Sequence, residues 1–285
     1  MTVGDLSDLK AGGLLKARPT RPLRLVRLGL GAALPWLLPA GLLGLWALSL
    51  DRGWLQPYQL PAPPTVVSTF VDLLSRGELA RHLGATLNRL LAGYLLGAGP
   101  GVLLGLLAGS SVGFRRFLDP TVQGLRAVPS LAWVPLFLLW FGIGEQARVY
   151  LIGLGAFLPV YLNTMAAVGS VDRKLIEVAR AYGFGRLKVL FRVVLPGAMP
   201  GVFTGLRAGL SLAWMFVVAA ELIAASNGLG FMLVEGQSTM RPDRVLVSLL
   251  TFAVLGRGSD TLLAALERRL LVWRDTLATT QEERP

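Results

Sequence analysis

The chain of 285 residues is 53% hydrophobic and only 16% charged, against about 25% charged residues in soluble globular domains, and its mean hydropathy is +0.59. Its charges cluster between long apolar runs, as lipid solvation requires, so the net charge of +11 reflects membrane topology and nucleic acid is excluded as a partner. The absence of cysteine removes disulfide frameworks and thiolate metal sites, and a single histidine, His82, removes multi-histidine metal centres.

In chain order, residues 1–27 form a basic, cytoplasmic N-terminus. The apolar run that follows exceeds the roughly 7–15 residues of a signal-peptide core, so it reads as a retained first membrane span, 28–50. Further spans are expected at Thr86–Ala108, Val122–Phe141, Val149–Val168, Val202–Ala224 and Val245–Leu266, each near the ~20 apolar residues a bilayer demands. The fold class is therefore an all-α integral membrane protein of about six transmembrane helices.

Between the first two spans, 51–81 is a periplasmic segment. Its proline-rich Leu60–Pro64 is followed by Thr65, read as the cap of an amphipathic helix, Val66–Leu74, lying on the membrane surface. His82 reads as a surface residue at a helix start. Gly93, Gly97, Gly99, Gly101, Gly105 and Gly109 recur along the second span as a packing surface, and as a candidate dimer seam. The third span contains Pro129 and Pro135 and is expected to kink. A core at 82–266 and a cytoplasmic tail at 267–285, acidic and expected to be mobile after Asp275, complete the chain.

Lysine and arginine placement sets the orientation. Segments on the side of the N-terminus hold eighteen of the 28 cations, those on the other side six, and four lie within spans. Both termini are therefore expected in the cytoplasm.

The stretch between the fourth and fifth spans, 170–200, reads SVDRKLIEVARAYGFGRLKVLFRVVLPGAMP. Leu175, Ile176, Ala179, Leu187, Leu190, Val194 and Leu195 form apolar faces at helical spacing. Asp172 fits an N-cap, Gly183 and Gly185 fit a tight bend, and Pro196 is expected to stop the second half. Two short surface helices result. On physics alone, a plug for a soluble partner and a plain interfacial hairpin are equally served by this pattern.

The same stretch resembles the EAA loop of binding-protein-dependent ABC importers: Glu-Ala-Ala, three residues, Gly, nine residues, Ile-x-Leu-Pro. Glu177, Val178 and Ala179 are followed by Gly183 and, nine residues on, by Val193-Val194-Leu195-Pro196. Leu60–Thr65, Trp140–Glu145, Leu162–Thr164, Asn227–Gly230 and Leu266–Leu271 look like the branch that moves aliphatic sulfonates, taurine and nitrate.

The resemblance implies a type I importer transmembrane domain in a bacterial inner membrane. It implies docking of the loop into an ATP-binding subunit through Glu177, Ala179, Arg180, Gly183, Leu195 and Pro196. Two such subunits, a periplasmic substrate-binding protein and a second copy of the chain complete the assembly, and ATP and magnesium sit on the ATPase. The chain has no Gly-x-x-x-x-Gly-Lys-Ser/Thr loop, so no cofactor and no catalytic residue are expected here, and no metal. An ion-coupled secondary transporter should show repeated halves and mid-membrane acids, which do not stand out.

Charges within spans each need an account. Arg89, Arg126 and Arg207 lie near span ends and read as snorkelling side chains. Glu221 reads as an interfacial or gate residue. Arg257 and Asp260, three apart in the last span, can neutralise each other or offer a cation to an anionic substrate. With Pro129 and Pro135 they are the candidate translocation-path residues.

Overall fold

A computed structural model describes the backbone of residues 24–273 and the side chains of residues 36–273 other than Ser130 and Ala224. The expectations for residues 1–23 and for the tail beyond 273 lie outside the described residues. The chain divides into two units, residues 1–55 and 56–285. The first holds helix α1 (Arg24–Asp51), which contains the expected first span. At its end the amides of Arg52, Gly53 and Trp54 donate back to carbonyls of the last turn.

The regular elements of the second unit are all helices among its described residues. It opens with α2 (Pro63–Ser75), and Thr65 is not its cap: Ala62 occupies that place, and Pro63 enters the first turn, where no amide is needed. Its buried Val66, Thr69 and Leu73 pack on α3 (Glu78–Ser110) and α11 (Pro242–Leu270), so α2 is part of the bundle rather than a free surface helix.

The frame is three long helices, α3, α6 (Glu145–Gly169) and α9 (Leu195–Ala224). Glycine draws them together, since in lipid the gain comes from close backbone packing. A Cβ at Gly93 would stand 2.6 Å from Ile152, at Gly101 3.0 Å from Val160, at Gly105 2.7 Å from Thr164 and at Gly109 2.5 Å from Val168. One at Gly97 would strike the Gly153 carbonyl. The four-residue spacing thus makes an intrachain seam with α6, which occupies the face read as a candidate dimer seam. Gly99 is not part of it, because its Cβ would meet nothing within 4 Å. On an adjoining face of α6, Gly205 and Gly209 of α9 press against Asn163 and Val160. Leu90, Leu151, Ile152, Leu210, Phe216 and Val217 fill the core between the three.

The third expected span is two helices, α4 (Val112–Ala127) and α5 (Trp133–Phe141), joined by a 3-10 turn at Ser130–Ala132. Val128 is extended, with φ −78° and ψ 126°, as a residue before proline must be, so the expected kink becomes a break. Pro135 causes none of it, since it sits in the first turn of α5.

Past α6 come α7 (Arg173–Ala181), α8 (Arg186–Val189), a π turn at Leu190–Val194, α9, α10 (Leu229–Ser238) and α11. Pro196 does not stop the second hairpin helix. The π turn leads directly into α9, and its wider i→i−5 bonding, with the Leu195 amide donating to Leu190, accommodates a proline that offers no N–H. Among the described residues, four helical stretches have the length and hydropathy to cross a membrane: Glu78–Ser110, Glu145–Gly169, Arg186–Ile223 and Pro242–Leu270. Trp36–Asp51 is a shorter apolar helix.

Candidate functional site

The hairpin between α6 and α9 is built as a fastened plug. Asp172 caps α7, its Oδ1 accepting from the Lys174 amide at 2.9 Å. At the other end Gly183 adopts φ +75°. Its amide donates to the Arg180 carbonyl at 2.9 Å, and the Phe184 amide donates to Ala179 at 3.1 Å. This paired closure of the last turn requires a left-handed residue, which glycine supplies without strain. Gly185, at φ −67°, has an ordinary conformation and is not needed for the bend.

Ile176, Ala179, Phe184, Val189 and Val194 face inward and pack on Ala167 and Val168 of α6, Ala198 of α9 and Leu106 of α3. The opposite face is apolar and uncovered: Leu175, Val178, Tyr182, Leu187 and Phe191 are exposed, Tyr182 at 79%. Glu177 and Arg180 are exposed beside it, and neither enters an ion pair among the described residues. Leu195 and Pro196 are half-buried in the first turn of α9. The geometry therefore separates Ala179, which holds the plug to the bundle, from Glu177 and Arg180, which face outward.

The opposite end of the bundle, about 36 Å along α6 at 1.5 Å per residue, carries a polar network that the sequence reading missed. Arg89 is 3% exposed and does not snorkel. Its Nε and Nη2 donate to Glu145 at 2.6 Å each, and its Nη1 donates to Glu221 at 2.6 Å and to the Asn227 carbonyl at 2.7 Å. Nη2 also meets the Asn227 side-chain oxygen.

Glu221, 1% exposed, is an internal anchor rather than an interfacial residue. Thr86 Oγ1 donates to it at 2.9 Å and the Gly230 amide at 2.8 Å. His82 is buried too, its Nδ1 accepting from the Gly228 amide at 3.0 Å, and Thr86 accepts from the Leu229 amide at 2.9 Å. Side chains of α3 and α9 thus satisfy the orphan amides that open α10, and a carboxylate stands at the positive end of that helix. Two motifs far apart in sequence, Trp140–Glu145 and Asn227–Gly230, meet on one guanidinium.

In the half of the bundle nearer the hairpin, Asp260 of α11 does not pair chiefly with Arg257. Arg207 of α9 takes both its oxygens, at 2.9 and 3.0 Å, and approaches Glu267 at 3.8 Å. Arg207 is thus an interhelix partner rather than a snorkelling cation. Arg257 stands 4.0 Å from Asp260 with its side chain 82% exposed. Trp214 Nε1 donates to Ser259 at 2.9 Å and joins the same two helices. Pro129 and Pro135 are exposed on the α4–α5 segment, and no hydrogen bond or ion pair brings them to this cluster. Among the described residues no group of three His, Asp or Glu side chains is placed to hold a metal ion.

A family model described as "binding-protein-dependent transport system inner membrane component" matches residues 101–272. Two aliphatic sulfonates transport permease proteins named SsuC are similar to the chain. That of Bacillus subtilis (strain 168) is 42% identical, covering 84% of this chain and 87% of its own length. That of Escherichia coli (strain K12) is 40% identical, covering 84% and 91%. Among solved structures, an amino acid ABC transporter crystallised with histidines superposes with a TM-score of 0.59 at 19% identity, covering 70% of this chain and 98% of that one. That likeness concerns the fold.

Proposed function

The chain belongs to the binding-protein-dependent transport system inner membrane components, the permeases of ABC importers, and from that premise we propose that it carries aliphatic sulfonates across a bacterial inner membrane. Identity of 42% and 40% to two sulfonate permeases supports the substrate class. The observation that carries the mechanism is the hairpin itself, packed to α6, α9 and α3 on one face and apolar but uncovered on the other. An exposed apolar face on a plug fixed to two spans suits a cleft on a separate ATPase subunit.

In this reading two copies of the chain flank the path, each engaging one ATPase, and a periplasmic binding protein delivers the substrate. ATP and its magnesium sit on the ATPases. Their closure moves the hairpins, and with them α6 and α9, so the path opens alternately to each side. Both termini and the hairpin lie in the cytoplasm, as the lysine and arginine excess favours. Glu177 and Arg180 make polar contacts at the docked surface, and Gly183 keeps the bend.

The test is uptake into vesicles by the chain assembled with its cognate ATPase and binding protein. The expected result is ATP-dependent entry of alkanesulfonates in preference to taurine, nitrate and thiamine precursors. A preference for any uncharged or cationic compound overturns the substrate reading.

A further inference from the structure

We infer that Arg257 is the anion-contacting group of the translocation path, set in a polar stripe shared by α9 and α11 that accepts an organic monoanion. This rests on the reading of the chain as a path-forming permease and deepens it by naming the contact.

Arg257 lies roughly 20 Å from either end of α11 at 1.5 Å per residue. A cation at such depth is disfavoured against lipid tails, so the face that carries it meets water, ligand or protein. The counter-ion three residues on is already engaged: Arg207 holds both oxygens of Asp260 at 2.9 and 3.0 Å. A bidentate guanidinium–carboxylate pair is the stronger claim on that carboxylate. Arg257, at 4.0 Å and 82% exposed, is left with a positive charge only weakly compensated. Among the described residues Arg257 has no ion pair with Glu267, which approaches Arg207 at 3.8 Å.

The surroundings suit an aqueous wall better than a lipid face. Ser211 on α9, one turn from Arg207, and Thr261 on α11, one turn from Arg257, are both exposed. Each hydroxyl donates to the carbonyl four residues back, at 3.2 and 2.8 Å. Neither is left unsatisfied when the path is empty, and each retains an oxygen for water. One turn further from the hairpin, Met215 and Val254 are exposed at 42% and 71%. A head-group cation beside hydroxyls, with apolar side chains a turn beyond, matches a small anionic head that carries an aliphatic tail.

The chain contains no cysteine, so an introduced thiol is the only one it contributes, and cysteine-free versions of the partner subunits remove the remaining background. Thr261→Cys, and separately Val254→Cys, would be placed in the complete transporter in lipid nanodiscs. Each would be reacted with the anionic sulfonatoethyl and the cationic trimethylammonioethyl methanethiosulfonates, and rates normalised to a free thiol in solution. The expected result is an anion-over-cation preference of about tenfold, falling to near unity on adding Arg257→Gln and returning with Arg257→Lys.

No reaction with either reagent at both positions would mean that lipid or a second copy covers the face, and would overturn the assignment. Reaction without charge preference would overturn it equally. The readout needs no transported substrate. A retained preference in a complex that moves no sulfonate leaves the anion contact standing and removes only the sulfonate reading.

Discussion

Glu145 and Glu221 hold the same guanidinium from opposite sides, yet their losses should differ. Glu221 is sealed, with its side chain at 0% exposure, while Glu145 is 58% exposed. Glu221→Ala strands part of the Arg89 charge together with the Gly230 amide and the Thr86 hydroxyl, where water does not reach. Breaking a buried pair in this way costs about 3–5 kcal/mol. Glu145→Ala takes a partner from Arg89 and from Arg148, but it opens a gap that water can enter from the exposed side, so a smaller loss of about 1–3 kcal/mol is expected. Thermal unfolding of the purified variants in one detergent checks the contrast, and equal losses would deny the fixed-anchor role of Glu221. Gly97 and Gly99 make a second pair. Gly97→Ala drives a methyl into the Gly153 carbonyl and should cost about 1–3 kcal/mol, whereas Gly99→Ala meets nothing within 4 Å and should be neutral or mildly stabilising. The same unfolding measurement separates them. The glycine period was legible in the sequence, because a four-residue repeat has one geometric meaning on a helix, although not which helix would meet it. The Arg89 network was not legible. Its partners lie 56, 132 and 138 positions away, and an arginine near the end of an apolar run looks the same whether it snorkels or is clamped.

At the scale of elements, the hairpin was the most readable part of the chain and the third span the least. Gly183 could be located because the two bonds closing α7 demand a left-handed residue, and the bond from its amide to Arg180 also fixes what may replace it. Gly183→Pro removes that donor and imposes φ near −65° in place of +75°. ATP-driven uptake should be abolished at equal membrane abundance, and unchanged uptake would count against a coupling role. Leu187→Asp probes the other side of the same element. Leu187 is 72% exposed, so the substitution should leave the melting temperature within about 1 °C, in keeping with surface substitutions, while reducing co-purification of the ATPase at least several-fold. Equal recovery of the ATPase would move the docking surface elsewhere. The fusion of α8 into α9 escaped the sequence reading because a proline marks a helix start as readily as a stop. At Pro129 the opposite error arose: a kink was expected, but Val128 is forced out of the helical region and the helix divides.

Across the whole bundle, α3, α6 and α9 are joined by glycine contacts along their length, by the Arg89 network at one end and by the hairpin core at the other. A push on the hairpin therefore reaches the far end as movement of one body rather than as sliding of one helix past another, since interiors packed this closely transmit strain. For such a lever to work the hairpin must stand where ATP is, and this makes orientation the premise on which coupling depends. The cation excess expects the hairpin side inside, and the native chain, free of cysteine, allows a direct test. Lys188→Cys on the hairpin and Ser226→Cys in the turn before α10 are both exposed positions at opposite ends of the bundle. A membrane-impermeant maleimide should label the Ser226 position in intact, outer-membrane-permeabilised cells and should reach the Lys188 position only after the inner membrane is opened. The reverse pattern would place the apolar docking face outside, where no ATPase could engage it, and the lever would have nothing to drive it.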